Sequence, residues 1–153
     1  MSKRKKQVEE FFTSFESNFN KAISGEEDVN EAITNSFAEC FIESSDAGIL
    51  CGKNGAPFVD KIKQGFEFYK SIGAWGMNIV SKDISLIDDL HGMVRVHWRY
   101  QYNKDGQQGA VDFNTFYLVN TVSEPKIFAY MAGDEQKVLK EKGLVPESIE
   151  VEH

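Results

Sequence analysis

The segment Met93 to Tyr102, MVRVHWRYQY, sets Val94, Val96, Trp98, Tyr100 and Tyr102 in strict alternation with Met93, Arg95, His97, Arg99 and Gln101. A period of two predicts a strand with one apolar, aromatic face and one largely cationic face. So much aromatic surface needs a cover, and the rest of the chain supplies it. Val8, Phe11, Phe12, Phe15, Phe19 and Ala22 recur at helical spacing and stop at Ser24 and Gly25, which predicts a first helix. A second helix is expected with Asp28 as its cap, Glu31 completing an acidic capping box, and Ala32, Ile33, Ser36, Phe37, Cys40 and Phe41 as its buried stripe. Asp46 to Cys51 reads as a short strand. Pro57 opens a third helix that runs to Ile72 with Phe58, Ile62, Phe66 and Tyr69 on one face and Gly73 closing it.

After Gly73 the period becomes that of strands. Trp75 to Ile87, the opening segment, Ala110 to Val122 and Lys126 to Ala132 are separated by turn-forming residues at Asp88–Gly92, Lys104–Gly106 and Glu124–Pro125. Asp134 to Lys142 predicts a short closing helix with acids at its positive end and lysines at its negative end. Helices followed by a hairpin-linked meander make an α+β domain with the helices on one sheet face. One domain is expected over 8–143, with 1–7 and 144–153 as tails.

Charge and composition exclude several classes. A net charge of -7 argues against non-specific nucleic-acid binding, and the run Lys3, Arg4, Lys5, Lys6 reads as a solvated N-terminal arm. No window approaches the roughly 18 apolar residues of a membrane span, and no secretory segment follows the basic run, so a cytoplasmic protein is expected. Cys40 and Cys51 match no zinc or redox spacing and are read as buried free thiols. No metal and no cofactor are expected.

The phrases SFAECFIESSDAG, GFEFYKSIG, MVRVHWRY and FNTFYLVNTVSEPKIFAYMAGDE, in that order, resemble the NTF2-like superfamily of cone-shaped domains. That superfamily includes SnoaL-like cyclases, ketosteroid isomerases and scytalone dehydratases, and the resemblance covers about Val8 to Ala132. It implies a curved sheet wrapped around the helices, with an apolar pocket at the open end. Trp98, Tyr100, Phe113 and Tyr117 on the sheet, with Phe15, Phe19 and Phe66 on the helices, are then candidate ligand-binding residues; the alternative is that they are core. A bulge would bring in Asn114 and Phe116 instead of Phe113, Thr115 and Tyr117. Asp46 and Asn114 lie close to the two positions where ketosteroid isomerases carry catalytic carboxylates, and are the candidate catalytic residues. The matching first-helix tyrosine is missing, and Asn114 donates a hydrogen bond but is no proton acid, so that constellation is incomplete.

The opposite sheet face has a second candidate role. Domains of this superfamily commonly pair through it, and Arg95, His97, Arg99 and Asp112 there suggest a homodimer, an ordinary solvated sheet face being the alternative; Asp112 itself reads either as a site carboxylate or as an ion-pair partner of Arg95 or Arg99. His97, alone between arginines, reads as interface or solvent-facing. Two functions follow as expectations: a protein binding a small, mostly apolar ligand, with cofactor-free proton-transfer chemistry, or a noncatalytic homodimeric module whose cone is filled by its own side chains.

Overall fold

The computed structural model describes residues 2–26, 29–132 and 134–145. Its elements are α1 (Lys3–Ile23), α2 (Val29–Thr34), β1 (Phe37–Ser45), β2 (Gly48–Lys53), α3 (Ala56–Ser71), β3 (Ala74–Leu86), β4 (His91–Lys104), β5 (Gln107–Asn120), β6 (Lys126–Met131) and α4 (Asp134–Glu141). The sheet has strand order β2-β1-β6-β5-β4-β3, and only the β1–β6 pair is parallel.

Both faces of the alternating strand behave as its period demands. Val94, Val96, Trp98 and Tyr100 are buried under the helices, while Arg95, His97 and Arg99 remain half-exposed on the far side. β4 and β5 pair without a register shift, so Phe113, Thr115 and Tyr117 join the buried face and Asn114 and Phe116 do not. α1 covers this surface with Val8, Phe12 and Phe15. Its polar residues complete the sheet: β3 is an edge strand, and Asn20 Oδ1 accepts from the Met77 N–H at 2.9 Å while Glu16 Oε2 accepts from the Ile79 N–H at 2.6 Å. Two main-chain donors of the open edge are satisfied in this way. Gly73 follows α3 at φ +81 with the Asn103 carbonyl oxygen 2.1 Å from where a Cβ would stand, so only glycine fits that turn.

The structure departs from expectation at the N-terminus, in the second helix and at the cysteines, as well as at Asp46. The basic run is not an arm: Ser2 caps α1 by accepting from the Lys5 N–H at 3.1 Å, and Arg4 donates to the Asp88 and His91 carbonyls at 2.8 and 3.4 Å. The expected second helix stops at Thr34, and Phe37 to Phe41 belong to β1. The reason is tertiary, because the Ile127 N–H donates to Ser36 O at 2.9 Å and β1 runs on alongside β6, far away in the chain. Asp28, its expected cap, lies outside the described residues. Cys40 and Cys51 are free but exposed, because they sit on the face of the β1–β2 hairpin turned away from the core.

Candidate functional site

Between the helices and the concave sheet face lies a cavity of about 250 Å³. β4 and β5 contribute Trp98, Phe113, Thr115 and Tyr117 to its lining, α1 contributes Phe15 and Phe19, and α3 contributes Phe58, Ile62, Phe66 and Tyr69. The rings interlock. Phe19 stacks on Trp98 with centroids 5.0 Å apart and meets Phe66 edge-on at 5.3 Å, while Trp98 Nε1 donates to Tyr117 Oη at 3.2 Å. Such contacts fix the wall's shape and satisfy its buried polar tips. Gly65 of α3 also lines the cavity, with nothing within 4 Å of where a Cβ would stand.

Glu135, on the first turn of α4, is an ionisable group in this wall. Tyr69 donates to its Oε2 at 3.0 Å. Tyr100 turns its hydroxyl to the same carboxyl group without a hydrogen bond of ordinary geometry and is otherwise buried with no partner. Burial raises the Glu135 carboxyl from the ordinary 4.5 to about 7, and the two tyrosine hydroxyls offset only part of that rise. The residue as a whole keeps some exposure because its backbone begins a surface helix, whereas its carboxyl group is enclosed. Burial, reinforced by the Glu135 charge, likewise pushes the Tyr69 and Tyr100 hydroxyls above their ordinary range. On the solvent side, Lys61 of α3 and Glu43 of β1 form an ion pair at 3.6 Å across the rim, with Tyr130 beside Glu43.

The candidate ligand-binding residues Trp98, Phe113, Tyr117, Phe15, Phe19 and Phe66 converge on this cavity, and Tyr100 stands just behind it at Glu135. The candidate catalytic pair does not. Asp46 is exposed in the turn between β1 and β2, since the strand expected from Asp46 starts only at Gly48. Asn114 is on the outer face, accepting from Arg95 Nη1 at 3.3 Å, with its N–H donating to Asp134 Oδ2 at 3.0 Å. Asp112 is held by Arg99 through bonds of 2.7 and 2.8 Å and by His97 Nε2 at 3.0 Å, and Arg99 above all keeps that carboxyl below its usual range. Among the described residues no group of side chains has the makings of a metal site, and no helix is long and apolar enough to cross a membrane.

Residues 4–135 match the family described as NTF2-like protein (DUF6841). The chain belongs to this NTF2-like family. Solved structures share the fold at low identity. An NTF2-like protein with a cystatin-like fold from Novosphingobium aromaticivorans superposes with a TM-score of 0.66 at 13% identity, covering 93% of this chain and 88% of that one. A ketosteroid isomerase-like protein from Erwinia carotovora atroseptica gives 0.62 at 11% identity, with 88% and 98% covered. The beta subunit of the benzoate 1,2-dioxygenase from Burkholderia mallei gives 0.58 at 13% identity, with 86% and 91% covered. No curated protein matches the sequence. Within the NTF2-like frame, the residue that sequence reasoning passed over is Glu135, read only as a charge suited to a helix N-terminus.

Proposed function

We propose that this NTF2-like chain binds a small, largely apolar molecule in its cone cavity, and that Glu135 is the group that exchanges a proton with it. The observation carrying this reading is a carboxyl group held near neutrality inside an aromatic wall, where burial opposes its charge. An acid or base is most effective when its pKa lies near the working pH, a condition Glu135 meets inside the cavity, whereas Asp46 and Asn114 lie outside it. Size narrows the ligand. A cavity of about 250 Å³ exceeds the roughly 150 Å³ that accommodates benzene and falls short of the roughly 300 Å³ at which drug-sized sites begin. A molecule of one or two rings fits between those limits.

The test uses the two tryptophans, Trp98 in the wall and the exposed Trp75. With Trp75→Phe in place, the indole N–H resonance of Trp98 reports on the cavity. Benzyl alcohol and naphthol should shift it saturably at millimolar concentration or below, and Gly65→Leu, which adds a side chain at the exposed rim of the cavity, should weaken the shift. No saturable shift with either compound in the folded protein sinks the reading.

A homodimer through the outer sheet face is the second part of the proposal, favoured by two cross-strand rows. Ile42, Ala129, Leu118 and Met93 are registered neighbours in one, and Ser44, Met131, Phe116 and Arg95 in the next. Ile42 and Met131, 46% and 45% exposed, are brought side by side with Leu118 and Phe116 by this register, so they form a patch rather than scattered residues. The pairing surface proposed is therefore this apolar half, since Asp112 already has its partners within the protomer.

A further inference from the structure

Glu135 has hydrogen-bond donors but, among the described residues, no ion-pair partner. An ionised carboxylate has about four acceptor sites, of which Tyr69 takes one. Glu135 lines a largely apolar cavity in which Lys61 is already engaged with Glu43, so whatever completes the site must donate, and preferably carry positive charge.

We infer that the preferred occupant of the cavity is a small aryl- or alkyl-ammonium ion, its ammonium group on the Glu135 carboxylate and its apolar body among the rings. The inference rests on the cavity being a binding site, as proposed above. The rings of Phe19, Phe66 and Trp98 line the same cavity and suit the apolar body. An anionic ligand would place a second negative charge beside Glu135, and a neutral alcohol offers a single donor. The net charge of -7 also draws cations toward the molecule. The proton balance follows: when Glu135 is protonated, binding of an ammonium ion forms the ion pair and releases one proton to solvent.

Of the titratable groups in the lining, Lys61 opposes a cationic occupant, and Glu43 offsets its charge at 3.6 Å. α3 presents Tyr69, β4 presents Tyr100 and β5 presents Tyr117; on the rim, β1 presents Glu43 beside Tyr130 of β6, with Lys61 of α3 paired to Glu43. α1 contributes Phe15 and Phe19, which do not titrate.

The experiment compares benzylamine with benzyl alcohol by isothermal titration calorimetry of the whole chain, in buffers of different ionisation heat. Benzylamine should bind about tenfold or more tightly than benzyl alcohol above neutrality. Its affinity should rise with pH through about 7, with proton release detected, while benzyl alcohol stays flat. Glu135→Gln should erase the preference and the proton release, and Glu135→Ala provides the same comparison should the Gln variant not fold. Equal or tighter binding of benzyl alcohol overturns the ammonium proposal and leaves the cavity reading standing. Binding of neither compound overturns both.

Discussion

Glu135 sits at about 7 rather than 4.5 because burial outweighs the two hydroxyls beside it, and this couples its proton to folding. Between those values the folded chain keeps a proton that the unfolded chain has lost, so stability falls as pH rises. Below 4.5 both states hold the proton and above about 7 neither does, so the loss saturates at on the order of 3 kcal/mol. Glu135→Gln retains an acceptor for Tyr69 and removes the ionisation. The difference in urea-unfolding free energy between variant and wild type should therefore grow in the variant's favour from about pH 5 to 8. A difference that stays constant across that range would show that Glu135 does not titrate there. The sequence held a signal for this residue: Glu135 lies four positions before Leu139, which is fully buried, so both share the inward face of α4. What no local pattern carries is that α4 lies along β5, where the Asn114 N–H reaches Asp134 across 20 positions of chain.

At the scale of elements, β3 to β6 and the first and third helices were legible because their periodicity and their turn residues agree. The second helix was misread because apolar residues at Phe37 and Phe41, four apart, suit a helix face and, being an even number apart, also one side of a strand. Long-range partners decide the matter. Asn54, just after β2, donates through Nδ2 to Thr34 O at 2.6 Å and to Phe37 O at 3.1 Å, so one side chain closes α2 and starts β1. Asn54→Ala leaves both carbonyls without that donor and should destabilise the chain by about 1–3 kcal/mol in chemical denaturation. Because the same junction positions Phe37 and Phe58, whose rings meet at 5.1 Å on the cavity side, the variant should also weaken binding of benzyl alcohol. An unchanged stability would mean that α2 and β1 hold their junction without Asn54.

For the molecule as a whole, the outer sheet face divides into halves of different chemistry. On the half made by Arg99, His97 and Asp112, charges of both signs are matched within the protomer, and desolvating them against a second copy would oppose association. The half made by Ile42, Met131, Phe116 and Leu118 offers contiguous apolar surface across three strands, with Ile49 beyond it 73% exposed. Hydrophobic burial drives association in proportion to the apolar area removed from water, so the second half is where a twofold interface gains most. Sedimentation equilibrium should accordingly give a mass twice that of the 17.3 kDa chain. Phe116→Lys, its side chain directed away from the core, should yield a folded monomer, whereas Asp112→Asn should leave the dimer intact while loosening Arg99 and His97. A dimer lost with Asp112→Asn but kept with Phe116→Lys would move the interface to the charged half, and a monomeric wild type would remove it altogether.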